Sequence, residues 1–467
     1  MLRPALIAGI LAVMPTIAVS QAPAIPPAND LARYQPEPYV QIDNAEWTRT
    51  AVIYQINTRQ FTPAGTFRAA QAELPRLRAL GVDILWLMPI HPIGELNRKG
   101  TLGSPYAVRD YFGVNPEFGT EADFRAFVDA AHAQGMRVIL DWVANHTAWD
   151  NPLYSQHPDW YERGSDGGPR PTLWFDWSDI IDLDYRRAEV REYMTRAMTY
   201  WVREYGVDGY RADVAGMVPV DFWNQVRAEL NAIRPVFMLA EWEYPELHRR
   251  AFDASYAWEW HNAMHRIAQG HGDVGGLFGW HSWDDGAWPH EAMRMLFTSN
   301  HDKNSWEGTE YELFGPALDN VRALTFISRG IPLIYNGQEA GNDRRLAFFE
   351  RDPIRWPTTE HPHTAEYRRL IRFRDAHSAL HNGRWGAPMI PVVNTAPQRV
   401  FTFVRQNSDD KVFAIFNMSG EEQRVRFTDG PFTGTYRDYR DDSNVQVDAT
   451  TEMVIPAWSH RVLTSRP

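Results

Sequence analysis

Short apolar runs that end in polar or charged residues alternate along most of this chain with segments of helical period. The runs at 52–56, 82–87, 138–143, 209–213, 236–241, 295–299 and 331–335 have the length and near-continuous apolar character of strands buried on both faces. Between them Phe124, Phe127, Val128 and Ala131 recur at helical spacing, as do Met194, Met198, Trp201 and Tyr205. Thr120, just before Glu121 and Asp123, is a predicted cap for the first of these helices. The sixth strand has the weakest pattern and is placed near 254–258. This alternation, with polar residues at the strand C-terminal ends, predicts an α/β fold, an eight-fold (β/α)8 TIM barrel.

Two stretches break the rhythm. From about 146 to 186 the chain carries Trp, Pro, Gly and Asp without helical period, and reads as a small subdomain inserted after the third strand. Beyond about 380 the runs at 400–405, 411–416, 424–427 and 461–464 alternate or run apolar between turn residues, which predicts a C-terminal all-β sandwich domain. The organisation expected is a signal peptide at 1–20, an N-terminal extension at 21–45, a catalytic barrel at 46–382 and the β-sandwich at 383–467. The Gly-rich and aromatic stretch at 271–283 stays unassigned.

The signal peptide is read from Arg3, the apolar run at 5–19 and the small residues Ala18 and Ser20 before Gln21. No later segment is long and apolar enough to span a bilayer, so the expected location is periplasmic or secreted. The 467 residues include no Cys, which excludes disulfides and thiolate metal sites. Lys and Arg number 47 against 59 Asp and Glu, a net charge of −12 that argues against a nucleic-acid partner and suits a neutral substrate.

Side chains at strand C-terminal ends of such a barrel converge on one face. Three carboxylates fall there: Asp213 ending Gly-Tyr-Arg-Ala-Asp, Glu241 ending Phe-Met-Leu-Ala-Glu, and Asp302 just past Phe-Thr-Ser-Asn-His. Glycosidic cleavage uses such a set, one carboxylate at the anomeric carbon and a second holding a proton for the leaving oxygen. Arg211 is on the same side of its strand as Asp213 and is expected to keep it ionised. Neighbouring carboxylates are expected to raise Glu241. His146 and His301 are candidate donors to sugar hydroxyls.

The same residues resemble the signatures of glycoside hydrolase family 13, the α-amylase family. Asp141-Trp-Val-Ala-Asn145-His146 is similar to the first, Gly209-Tyr-Arg211-Ala-Asp213 to the second, Glu241-Trp242 to the third, and Phe297-Thr-Ser-Asn300-His301-Asp302 to the fourth. Ile181-Asp182-Leu183-Asp184, Ser104-Pro105-Tyr106 and Gly330-Ile-Pro332 through Glu339 add to the likeness, which runs in order from about 52 to 380. The resemblance implies Asp213 as nucleophile, Glu241 as general acid/base and Asp302 as the third carboxylate. It implies sugar contacts from Arg211, His146 and His301, with Tyr106 as a stacking ring beneath the cleaved sugar. It also implies a calcium ion held by Asn145, Asp182 and the carbonyl of Met217; the competing reading is that Asn145 and Asp182 only hydrogen-bond the inserted loop. No organic cofactor is implied. Gly216 and Met217 stand where many relatives carry Lys-His.

The expected activity is retaining hydrolysis of α-1,4-glucosidic bonds in starch-derived maltooligosaccharides. The alternatives are an α-glucosidase, a cyclomaltodextrinase, a glucosyl-transferring relative and, more remotely, a non-catalytic glucan-binding member. A barrel for sugar phosphates is disfavoured by the acidic Gly337-Gln-Glu339 where a phosphate cradle would lie.

Overall fold

A computed structural model describes residues 39–173 and 175–466; the signal peptide expected at 1–20 lies outside the described residues. The barrel strands are β1 (Ile53–Ile56), β2 (Ile84–Leu87), β3 (Arg137–Trp142), β6 (Gly209–Ala212), β7 (Phe237–Ala240), β8 (Ala254–Tyr256), β9 (Met293–Leu296) and β10 (Ile331–Tyr335). After β3 come β4 (His146–Ala148) and β5 (Ile180–Asp182), an antiparallel pair within the excursion. The eight barrel strands are parallel and close in the order β1-β10-β9-β8-β7-β6-β3-β2. Their lumen is packed by Ile53, Ile84, Trp86, Ile139, Phe237, Leu239, Tyr256, Met295 and Leu333, so the barrel is a filled core with its open face at the strand C-terminal ends. At Gly209 a side chain is excluded, because a Cβ there would lie 1.8 Å from the Phe237 carbonyl oxygen.

The helix Glu121–Ala133 starts at Thr120, whose hydroxyl accepts from Asp123 N while Asp123 reaches back to Thr120 N. Phe124, Phe127, Val128 and Ala131 form its buried face. The strand expected at 295–299 is shifted to Met293–Leu296. It accommodates Arg294 because the guanidinium pairs with Asp284 (2.6 Å) and Glu243 and lies over the Trp288 ring. Residues 297–300 form the irregular connection to His301 and Asp302, which begin the next helical turn.

The C-terminal region contains β11 (Met389–Pro391), β12 (Val393–Asn394), β13 (Val400–Gln406), β14 (Lys411–Asn417), β15 (Gln423–Asp429), β16 (Gly434–Asp438), β17 (Asn444–Val447), β18 (Glu452–Ile455) and β19 (His460–Thr464). They form a six-stranded sheet, β11-β13-β14-β19-β16-β17, and a three-stranded sheet, β12-β15-β18. Val404, Phe413, Val425, Phe427, Ile455 and Leu463 from the two sheets share one apolar cluster. The stretch at 271–283 contributes to the helix Val274–Ala287, which packs against this region through Phe278 and His281 on Phe401, away from the open face of the barrel.

One buried arginine ties the C-terminal sheet to the barrel, and a second, within the barrel region, serves the same helix end. Arg405 of β13 is fully buried and donates to the carbonyls of Ala387 (3.0 Å), Ile327 (3.2 Å) and Ser328 (2.9 Å). Arg374 donates to Phe326 O (2.5 Å) and Gly330 O (2.5 Å). Both therefore serve the C-terminal carbonyls of the helix Leu318–Ile327, which have no acceptor role left within the helix. Arg405→Met would keep the volume and orphan those carbonyls, and is expected to cost about 3 kcal/mol, read as an earlier urea midpoint with an unchanged slope.

Candidate active site

Parallel pairing sets the site. In the register of β6 and β7, Ala212 faces Ala240, so the next residues, Asp213 and Glu241, leave neighbouring strands at the same height. Adjacent strands lie about 4.8 Å apart. On the other side of β6, Asp141 of β3 faces Arg211. Side chains alternate along a strand, so Arg211 and Asp213 point to one side, into the mouth of the barrel.

Arg211 is fully buried and is the shared cation of this group. Its Nη1 lies 2.7 Å from Asp141 Oδ1 and 2.9 Å from Asp213 Oδ1. Its Nη2 lies 2.6 Å from Glu241 Oε1, an ion contact outside good hydrogen-bond alignment. The guanidinium is also flanked by the rings of Trp86, Tyr106 and Tyr256. One positive charge thus serves three carboxylates, an imbalance that favours protonation within the group. Burial raises Asp213 well above its usual range, with Arg211 opposing and Glu241 and Asp141 adding to the rise. Burial raises Glu241 too, again against Arg211, while Asp302 adds to it. The expectation that Arg211 simply keeps Asp213 ionised is therefore replaced by a shared guanidinium, and burial outweighs neighbouring carboxylates as the cause at Glu241.

The hydrogen bonds around His301 fix its tautomer. His301 N–H donates to Gln55 Oε1 (3.3 Å), which turns the Gln55 amide nitrogen toward His301 Nδ1 (2.7 Å). Nδ1 accepts, so the proton sits on Nε2 and faces Tyr106 Oη (2.7 Å). Tyr106 in turn donates to Asp141 Oδ2 (3.0 Å), which also accepts from Trp86 Nε1 (3.1 Å). The Tyr106 ring stacks on His301 and Phe348. Burial holds His301 at about 3 and His146 at about 3, so both are neutral hydrogen-bonding groups. His146 Nε2 lies 4.0 Å from Asp213 Oδ2.

Val214, next after Asp213, is held in the left-handed region at φ 36 and ψ 48, a costly conformation for a β-branched residue. The strain aims its N–H at Glu241 Oε2 (2.8 Å) and so orients that carboxyl. Above these groups opens a cleft of about 470 Å³. Tyr106, His146, Asp213, Glu241, His301 and Asp302 all line it, whereas Arg211 lies beneath its floor. Trp177 of the excursion, Trp306 of the helical turn Lys303–Glu307, and Phe348 and Phe349 of a later loop supply aromatic walls. The sequence reading gave no role to Asp141, Gln55, Trp86 or Tyr256. All four end or nearly end barrel strands, a signal that was present; Trp177, Phe348 and Phe349 of the wall sit on loops with no periodic signal at all.

Asn145 and Asp182, the two side chains implied for calcium, do meet in the structure, but as partners of each other. Asn145 Nδ2 donates to Asp182 Oδ1 (3.1 Å), and Thr172 Oγ1 donates to the same oxygen (2.5 Å). Arg170 Nη2 sits 3.4 Å from Asp182 Oδ2. Calcium takes six to eight oxygen ligands. Here the amide turns a donor inward and a guanidinium stands beside the carboxylate, so these residues do not fit a calcium ion.

Asp302 is raised by burial to about 6, against the pull of Arg211 and Lys303. The folded chain thus holds a proton there that the unfolded chain releases near pH 4, and stability falls as pH rises between those values. Asp302→Asn removes the cost. Because the carboxyl is about one-third exposed, the expected gain is modest: a rise in Tm of about 2 °C at pH 7 that vanishes toward pH 3.5. Thermal unfolding of the two proteins at both pH values checks it.

Comparison with known proteins agrees with this geometry. Residues 36–174 and 171–273 match the family described as Alpha amylase, catalytic domain. The structure superposes on a noncanonic maltogenic α-amylase AmyB from Thermotoga neapolitana with a TM-score of 0.81 and 30% identity, covering 89% of this chain and 98% of that one. An α-amylase from Lactobacillus plantarum gives 0.79 and 32%, covering 90% and 99%. α-Amylase MalA of Haloarcula japonica is 28% identical over 440 residues, 89% of this chain, and the match spans 63% of that longer protein. The barrel, its strand-end carboxylates and these likenesses agree: the chain belongs to the α-amylase family of glycoside hydrolases.

Proposed function

We propose that the protein is a retaining hydrolase of α-1,4-glucosidic bonds acting on soluble maltooligosaccharides, with Asp213 as nucleophile and Glu241 as general acid/base. The observation that carries this is the level register of Asp213 and Glu241 on adjacent strands. Strand spacing puts their carboxyls near the separation of about 5–5.5 Å that retention requires, too close for a water to attack between them. In the first step Glu241 gives its proton to the glycosidic oxygen while an Asp213 oxygen bonds to the anomeric carbon and the C–O bond to the leaving sugar breaks. In the second, Glu241 takes a proton from water, whose oxygen displaces Asp213 from the anomeric carbon and restores the starting configuration.

The rest of the cleft suits this chemistry. Arg211 holds both carboxyls in place and stabilises Asp213 as it leaves. Tyr106 offers a ring to the sugar being cleaved, and Asp302, 3.3 Å from His301, offers an acceptor to its hydroxyls. On the leaving side, the Trp242 indole lies against the turn at 215–217. A Cβ at Gly216 would fall 2.2 Å from that indole, so only glycine admits it, and the ring stays 36% exposed beside Glu241. The opposite, open face of the ring can stack on the departing sugar. The N-terminal pattern supports export to the periplasm or medium, where such oligosaccharides are met.

Incubation with maltoheptaose is expected to release short malto-oligomers early, with the α-anomer first by proton NMR. Glucose alone from the first time point would point instead to an α-glucosidase, and no cleavage would leave only a binding role. Asp213→Asn is expected to lower kcat by about 10⁴-fold or more, and Glu241→Gln by about 10²- to 10⁴-fold. Trp242→Ala is expected to raise KM for maltoheptaose by about 10-fold, roughly the value of one stacking contact, with Trp242→Phe recovering most of it.

A further inference from the structure

The donor set that fails to suit calcium has an order of its own. Asp182 and His146 face each other across the β4–β5 pair, and Asn145 precedes His146. Asn145 Nδ2 bridges Asp182 Oδ1 (3.1 Å) and His146 Nδ1 (3.2 Å), and His146 Nε2 then looks toward Asp213. Asp182, Asn145, Thr172 and His146 are all buried. At the outer end stands Arg170, whose guanidinium reaches Asp182 while its backbone carbonyl accepts from Asp182 N (2.9 Å). The charge balance is local: one buried carboxylate, one guanidinium, and neutral groups leading inward.

We propose that Arg170 is a positioning residue, a built-in cation that holds Asp182 and, through Asn145, the imidazole of His146, so that the folded subdomain and the site need no calcium. Two features fit this role. A carboxylate that is buried beside a guanidinium and two donors has its acceptor positions largely used, and a divalent ion would have to expel Arg170 against like charge. The hydrogen-bonded run from Asp182 through Asn145 to His146 Nδ1 also resists rotation of its members, which sets the imidazole against Asp213 without a metal. The functional half of the inference rests on the hydrolase reading above; the metal half does not.

The first measurement is thermal unfolding of the intact wild-type protein in excess EDTA and in a calcium chloride titration. A Tm that stays put in both is expected, and a saturable rise with calcium, or a fall of several degrees in EDTA, would overturn the proposal even if the chain cleaved no glucan. The second is kinetic. Arg170→Ala is expected to lower kcat on maltoheptaose by about 10-fold with little change in KM, because His146 loosens while the aromatic walls persist. Arg170→Lys, which restores the charge, is expected to recover most of the loss. A folded Arg170→Ala protein with wild-type kcat, or a loss that Lys does not repair, would sink the positioning role.

Discussion

One guanidinium organises this site. Arg211 is enclosed by aromatic rings and touches Asp141, Asp213 and Glu241, each within 3 Å. Removing three carboxylates from water is costly, and a single cation cannot neutralise them all. That imbalance is useful. A cluster short of positive charge keeps a proton that exposed carboxyls would have lost by neutral pH, and glycoside cleavage needs one protonated and one ionised carboxyl side by side. The barrel supplies the rest: level register gives the spacing, and the filled lumen gives a floor that does not yield.

Stability is spent near the nucleophile in other ways. Val214 occupies a strained conformation to turn one N–H toward Glu241, and Asp302 keeps a carboxyl mostly out of water. The barrel offsets such costs with its core and with arginines that cap helix carbonyls where the C-terminal sheets meet it. Those arginines and Arg211 use the same side chain for opposite ends: at one end to satisfy neutral carbonyls, at the other to share a charge among acids.

The excursion after β3 carries a second balance of this kind. Arg170 and Asp182 form a local pair, and Asn145 passes their order to His146. A metal-free arrangement would suit a subdomain that also contributes a cleft wall through Trp177, because the wall and the imidazole would then depend on the same covalent chain.

Much of this was legible in the linear pattern. Buried parallel strands must be apolar throughout, so the strands showed as short apolar runs, and the acids at their ends stood out because charge is rare there. The excursion without helical period after the third strand and the turn-rich tail likewise marked where the barrel rhythm stopped. Strand β9 was misplaced because Arg294 reads as a break until Asp284, Glu243 and Trp288 surround it. Asp141, Gln55 and Trp86 were visible as strand residues, but their tasks were not, since each acts on a group brought from another strand. The sharing of Arg211, the Nε2 tautomer of His301 and the pairing of Arg170 and Asn145 with Asp182 depend on side-chain contacts that no local pattern displays. Sequence by itself determined which residues sit at the mouth of the barrel, because strand periodicity is local. Only the tertiary structure decided which charges they share, because electrostatic balance depends on who is near whom and on how little water remains between them.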